Sequence, residues 1–103
     1  MDTRYGTMAT ERPERYAKQL AAHWARKGSS GQEDGATVIR FDTGQVVVLR
    51  AAPGVLQIEA AVPHGTDPDR FAQVVKAHLE RFGQRDELDV VWAGPEAAGA
   101  MGR

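Results

Sequence analysis

Hydrophobic side chains recur with helical spacing in two places along this chain. In the later one, residues 71–82, apolar positions three and four apart fall on one stripe of a helix. This stripe consists of Phe71, Val74, Val75, His78, Leu79 and Phe82. Asp67 and Pro68 are typical of a helix start and Gly83 of a helix end, which predicts a helix over residues 68–82. One ring of the stripe, His78, is titratable.

An earlier segment, RYAKQLAAHWARK, has the same kind of spacing. Its stripe at i, i+4, i+7, i+8 and i+11 consists of Tyr16, Leu20, His23, Trp24 and Lys27. Pro13 suits a first turn and Gly28 suits a left-handed cap, so we predict a helix from residue 10 to about residue 27. This helix also carries a histidine on the stripe that should face the core.

Strand-like segments lie between and after these helices. TVIRF, QVVVLRA and VLQIEAAV follow one another closely, and the tight turns DTG (42–44) and APG (52–54) join them. Connections this short require antiparallel neighbours. The segment LDVVW (88–92) alternates apolar and polar positions and predicts a fourth strand.

The rest of the chain shows no periodicity. We predict a flexible lead-in over residues 1–9, a polar loop at GSSGQEDGA (28–36) and a flexible tail over residues 93–103, with one domain over residues 10–92. The order is α-β-β-β-α-β. The expected fold class is α+β, a two-layer sandwich with two helices packed on one face of a four-stranded antiparallel sheet.

One face of such a sheet stays in water unless a partner covers it. The run of valines at 46–48 is apolar on both sides of its strand, which favours a homodimer or another protein partner on the open sheet face.

Composition excludes several classes of function. The chain has 103 residues, a formal net charge of −1 and no cysteine, so disulfides, thiolate catalysis and cysteine zinc sites are excluded. A nucleic-acid or anionic-membrane binder is usually more basic. The sequence has no apolar run of about 20 residues and its polar start does not resemble a signal peptide, so we expect a cytoplasmic protein with no membrane contact.

Catalysis finds little support in the sequence. Without cysteine the nucleophile would be a threonine or one of Ser29 and Ser30, which lie in the predicted loop without a positioned base. The acidic residues before the last predicted strand are typical of a solvated strand entry. We therefore expect no enzymatic activity and no cofactor.

The two histidines are the main candidates for a site. If the helices pack side by side on the sheet, His23 and His78 border one cleft. Basic residues one turn further along make one end of it positive, which suits a small anionic ligand. The predicted ligand-binding residues are His23, His78, Lys27, Arg81, Arg85, Tyr16 and Trp24.

Two other uses of these histidines remain open. Both rings can be structural, each bonded to a carbonyl or side chain and holding the helices in register. Alternatively, His23 and His78 can anchor a metal with Glu80, Glu14 or a ligand, although neither helix has His-x3-His or Glu-x-x-His spacing.

Two motifs in this chain also resemble a known family. RYAKQLAAHWARK and VVKAHLERFGQRDELDVVW are similar to the first-helix and second-helix motifs of the bacterial domain of unknown function 2218, over about residues 12–92. The family's marked positions fall on Tyr16, Gln19, Leu20, His23, Lys27, Gly44, His78, Leu79, Arg81, Phe82, Arg85, Leu88 and Trp92. Ala22 and Arg26 stand where members often have cysteine and a second histidine, which weakens a metal role here.

The resemblance implies a small, uncharacterised bacterial protein and no defined activity. Similar domains occur beside siderophore-interacting reductases. The resemblance therefore implies an accessory role in iron-siderophore handling, with such a reductase or a small anion as partner.

Overall fold

The computed structural model describes residues 1–93 and contains six strands and two helices. The elements are β1 (Asp2–Ala9), α1 (Pro13–His23), β2 (Gly28–Glu33), β3 (Ala36–Phe41), β4 (Val46–Ala52), β5 (Val55–Val62), α2 (Pro68–Phe82), a 3-10 turn (Gln84–Asp86) and β6 (Val90–Ala93). The predicted α+β class and both helices are confirmed. Apart from residue 93, the predicted tail lies outside the described residues.

The strands form one antiparallel sheet in the order β2-β3-β4-β5-β1-β6. β1 lies inside this sheet. It pairs with β5 from Asp2 opposite Val62 to Ala9 opposite Val55, and with β6 on its other side. The two edges of the sheet are β2 and β6.

The predicted count of four strands was wrong, because residues 2–9 and 28–33 are also strands. Residues 2–9, predicted to be a flexible lead-in, form β1, so the folded unit starts before residue 10. The core-facing side of β1 shows only a weak apolar pattern, because Gly6 leaves room for the Trp92 ring of β6. A Cβ on Gly6 would lie 2.6 Å from Cε3 of Trp92.

β2 occupies most of the segment predicted to be a polar loop. It forms a hairpin with β3 through Asp34 and Gly35, whose φ angles of 52° and 79° are those of a type I′ turn. The strand has no apolar residue because it lies at an edge, where its side chains are exposed.

The two helices differ in how closely their bounds match the prediction. α2 has the predicted bounds, and the Asp67 carboxylate caps it by accepting from the backbone N–H of Asp69 at 2.9 Å. α1 is shorter than the predicted 10–27. It ends at His23, and a turn in which the Lys27 N–H donates to the Trp24 carbonyl leads into β2.

Both helices pack on the same face of the sheet. The sheet contributes Met8, Ile39, Val47, Leu49, Leu56 and Ile58 to the core, and the helices contribute Tyr16, Leu20, Trp24, Val75 and Leu79. Burying each large apolar side chain stabilises the fold by about 1.5–3 kcal/mol. Within residues 1–93 no helix covers the other face, where Tyr5 and Val91 are exposed.

Candidate functional site

The two predicted histidines lie next to each other. His23 ends α1, His78 lies in the third turn of α2, and the centroids of their rings are 4.8 Å apart. His23 is exposed and His78 is half-buried. The pairing follows from α1 and α2 packing side by side on the sheet, with each histidine near the shared seam.

One of the two rings has an assigned proton. His78 Nδ1 lies 2.7 Å from the Val74 carbonyl oxygen, one turn earlier in α2. Because a carbonyl oxygen only accepts, Nδ1 must donate, and in the neutral ring the lone pair is then on Nε2. This bond fixes the ring orientation, and the pair therefore offers one acceptor nitrogen of defined position.

The histidine pair belongs to a longer row of aromatic rings, which we call the aromatic row. Neighbouring centroids in it are 4.8–5.6 Å apart, within the range of favourable ring–ring contacts. In order, its members are Phe71, Phe41, Trp24, His78, His23 and Phe82.

One end of the aromatic row borders an open groove of about 420 Å³, which we call the aromatic groove. Trp24, Phe41 and Phe71 are its aromatic walls, and Val74, 41% exposed, adds apolar surface. The polar side of the groove consists of Lys27, Asp42, Thr43 and Gln45. This volume is within the range of small-molecule sites.

The structure brings together four of the seven predicted ligand-binding residues. Trp24 and Lys27 line the aromatic groove, and the rings of His23 and His78 contact each other beside Trp24. Arg81 and Arg85 are exposed and do not line the groove. Of the three predicted cations, Lys27 alone therefore lines the groove, where Asp42 carries the opposite charge.

Tyr16 lies in the core and away from the groove. Its side chain is nearly fully buried, and its hydroxyl donates to Asp86 Oδ2 at 3.0 Å. Burial, together with the hydrogen bond to the Asp86 carboxylate, raises the pKa of Tyr16. Tyr16 thus ties α1 to the 3-10 turn that precedes β6.

The carboxylates predicted to complete a metal site are engaged elsewhere or distant. Glu80 accepts from Lys76 Nζ and, at 2.9 Å, from the backbone N–H of Val90. Burial opposes its charged form, but these two hydrogen bonds outweigh burial and lower the pKa of Glu80. Glu14 is exposed near the start of α1. In residues 1–93 no cluster of three or more His, Cys, Asp or Glu side chains suits a metal ion.

Three phenylalanines of the row were not predicted as site residues. Phe71 and Phe82 share the α2 stripe with His78, so the helical spacing already placed them beside it. Phe41 comes from β3, directly before the turn at residues 42–44, and no local pattern connects it with the helices. Its position depends on the sheet.

Comparison with known proteins identifies the family. The family model described as "Uncharacterized protein conserved in bacteria (DUF2218)" matches residues 5–93. The chain belongs to this family. No curated protein sequence matches the chain. The resemblance seen in the two helix motifs is thus confirmed for the DUF2218 domain, whereas the link to siderophore proteins stays a prediction.

A solved structure shares the DUF2218 fold described above. The chain is similar to the NMR structure of PA4090 from Pseudomonas aeruginosa, with 26% sequence identity and a TM-score of 0.68. The similarity covers 92% of this chain and 97% of that one, so it includes both helices and the sheet. Within residues 1–93, neither helix is long and apolar enough to cross a membrane.

Proposed function

We propose that the aromatic groove binds a small carboxylate with a flat, apolar body. The observation that carries this proposal is the groove itself, in which three aromatic walls stand beside one lysine. The function is a binding function, in line with the predicted absence of enzymatic activity, which stays a prediction.

The apolar body of the ligand follows from the walls. The Trp24 and Phe41 centroids are 5.0 Å apart and tilted by 64°, and the Phe41 and Phe71 rings are 5.6 Å apart and nearly perpendicular. Faces and edges of rings thus meet at a corner, where a flat guest contacts mainly the half-buried Phe41 and Phe71 rings, since Trp24 is only 3% exposed. An acyclic anion such as acetate has no ring to make these contacts.

The single negative charge of the ligand follows from the rim. Lys27 is the one cation among the groove residues, and Asp42 places a negative charge on the same rim. A monocarboxylate can meet Lys27 and accept from the Gln45 amide N–H, because Gln45 Oε1 already accepts from the Thr43 hydroxyl, whereas a phosphate ester with two charges is repelled by Asp42. The rim therefore favours one carboxylate over more highly charged anions.

In this proposal the histidines act through Trp24. The His78 ring lies 5.0 Å from that of Trp24 and is itself fixed by its bond to Val74. The pair thus holds the indole in position as a wall of the groove. His23 and His78 are positioning residues here, which unites the predicted cleft with the structural alternative for these rings.

A larger cavity of about 470 Å³ lies near the start of α1 and is the less suitable site. Its lining combines Glu11, Arg12 and Asp86 with Ala9, Thr10, Gly54 and Leu88. It offers no aromatic wall, and its two carboxylates oppose an anionic guest. We therefore place the ligand in the aromatic groove.

A titration of labelled protein with three carboxylates tests the proposal. Benzoate, cyclohexanecarboxylate and acetate are added while backbone amide and indole N–H signals are followed by NMR. A ligand of this size reaches a Kd of about 1 mM at ordinary ligand efficiency. We expect benzoate to shift the signals of Trp24, Thr43 and Gln45 saturably, cyclohexanecarboxylate more weakly, and acetate not at all.

Two variants check the assignment of the charge. Lys27→Gln should weaken benzoate binding about 5-fold, the effect of losing one solvent-exposed charged contact. Lys18→Gln, on an exposed part of α1 away from the groove, is the matched control and should leave the Kd unchanged. Absence of saturable shifts, or shifts centred on Arg12 and Asp86, would overturn the proposal.

The same NMR spectra can distinguish metal binding by the histidine pair from ligand binding in the aromatic groove. Zinc held by both rings would shift His23 and His78 ring signals at stoichiometric metal, because each nitrogen must then approach the ion to about 2.0–2.1 Å. Benzoate binding in the aromatic groove does not require either ring nitrogen to approach an ion. Metal binding and a role beside a siderophore-interacting reductase both stay predictions.

A further inference from the structure

The edge strand β2 presents unpaired backbone groups in a regular pattern. The backbone N–H of Asp42 donates to the Lys27 carbonyl at 2.9 Å, and Gly28 lies opposite Phe41. Because hydrogen-bonded pairs alternate along an antiparallel ladder, Ser29, Gly31 and Glu33 are the residues of β2 whose backbone groups bond β3. The N–H and C=O groups of Gly28, Ser30 and Gln32 therefore point away from β3, to the free edge.

Over residues 28–32 this edge has none of the usual protection against pairing, and Glu33 is the one charged residue of β2. Edge strands are commonly blunted by a lysine, a proline or a bulge within the strand. Residues 28–32 contain no charged residue and no proline, and their register with β3 runs without interruption from Gly28 to Glu33. Their side chains are small or flexible and polar, so a second strand can approach closely.

The charges flanking β2 are arranged symmetrically. Arg26 and Lys27 precede the strand, Glu33 is its last residue and Asp34 follows it. Ser30 lies midway between Lys27 and Glu33 and also midway between Arg26 and Asp34. In an antiparallel pairing about Ser30, each basic end faces the acidic end of the other strand. Such a pattern is complementary to a second copy of itself.

We propose that two copies of this chain pair antiparallel through β2, with the two-fold axis at Ser30. Ser30 then lies opposite Ser30 of the second copy, Gly28 opposite Gln32, and Lys27 opposite Glu33. The pairing joins the outward-pointing backbone groups and produces one continuous sheet across both copies.

Glu33 is suited to its part in this contact. Its carboxylate bonds the Arg40 guanidinium, with Arg40 Nη2 2.9 Å from Glu33 Oε1. The hydrogen bond from Arg40 lowers the pKa of Glu33 and thus favours its charged form. A carboxylate has acceptor positions for two partners, so Lys27 of the second copy can join Arg40.

The dimer should be weak and sensitive to salt. One strand on each side buries less surface than a standard interface, and its flanking charges are exposed. Sedimentation equilibrium from about 10 μM to 1 mM protein covers the range expected of a transient complex. Lys27 also lies on the rim of the aromatic groove, so the charge change at Lys27 affects both sites, whereas a change at Ser30 affects only the edge.

Exchanging the charges at residues 27 and 33 tests the proposed register of the two β2 strands. Lys27→Glu and Glu33→Lys each place like charges opposite each other and should weaken self-association about 10-fold. An equimolar mixture of the two variants should restore association, because each strand then meets its complement. Residues 27 and 33 are six positions apart on one strand, about 20 Å, so only pairing between chains can produce this rescue.

A backbone test is independent of charge. Ser30→Pro removes an N–H that points to the free edge and bonds nothing in β3, so the fold should persist while association is lost. Ser30→Ala keeps the N–H and is the matched control, with amide spectra verifying both folds. A wild type that stays monomeric at about 1 mM, or a dimer indifferent to Ser30→Pro and to both charge changes, overturns the proposal.

Discussion

The two edges of the sheet are built in opposite ways. At β6 the strand is four residues long, and α2 reaches over it: Glu80 accepts from the Val90 N–H at 2.9 Å, and Lys76 Nζ donates to the Val90 carbonyl at 3.2 Å. At β2 no side chain within residues 1–93 bonds the outward-facing backbone. In this sheet, side chains of α2 thus cover the β6 edge, whereas the β2 edge remains available for pairing.

The ion pairs beside the two edges sharpen this contrast. Lys76 and Glu80 are each less than one-third exposed and both bond the edge backbone, so their charges contribute to closing the strand. Arg40 and Glu33 are about half exposed and bond only each other. We therefore expect the first pair to matter for stability and the second for association.

The largest effect on stability should come from a glycine at the start of β2. A Cβ on Gly28 would lie 1.9 Å from the Arg40 carbonyl oxygen, so Gly28→Ala must displace backbone and should cost about 2–3 kcal/mol of unfolding free energy. Gly31→Ala in the same strand has open space and is the control. Urea unfolding of both variants checks this, and equal midpoints would contradict it.

Removing the charge that covers β6 should have a smaller effect. Glu80→Gln weakens the bonds to Lys76 and to the Val90 N–H, and should cost about 1–2 kcal/mol at neutral pH. Because folding lowers the pKa of Glu80, its contribution is present above the unfolded pKa near 4.5 and is lost as pH falls through the folded value. The difference between wild type and variant should therefore shrink in unfolding curves as the pH falls below 4.5. A constant difference would show that the charge plays no part.

The smallest effect on stability should come from the pair beside β2. Glu33→Gln breaks an exposed contact with Arg40, so we expect no measurable change in the unfolding midpoint. The same variant should weaken self-association, because Lys27 of a second copy loses its opposite charge. A clear loss of stability without a change in sedimentation would reverse the comparison between the edges.

Local patterns were sufficient for the elements that form the middle of the chain. α2 and β3 to β5 carry apolar repeats or tight turns of their own, and the structure has them where those signals are. β2 was missed although Asp34 and Gly35 are a strong hairpin signal, because apolar alternation is absent beside them. β1 was missed because its pairing is with residues far along the chain.

The site was also predictable only in part, because local spacing indicates some of its residues and the packing of distant elements places the others. Helical spacing placed His23 and His78 on stripes that face a common seam, and the 4.8 Å contact follows once both helices lie on one sheet face. The aromatic groove also needs Phe41, whose position depends on β3 and its neighbours. Helical spacing put Lys27 and Arg81 each one turn beyond a histidine, so it could not separate Lys27, which lines the groove, from Arg81, which does not.

The interior position of β1 also determines the order in which the sheet can assemble. Within the described chain β6 pairs only with β1, and β1 docks on β5 by contacts as distant as Asp2 with Val62. Closing so long a loop is slow compared with forming the β3–β4 and β4–β5 hairpins. The two hairpins should therefore form first, β1 should join them next, and β6 should be added last.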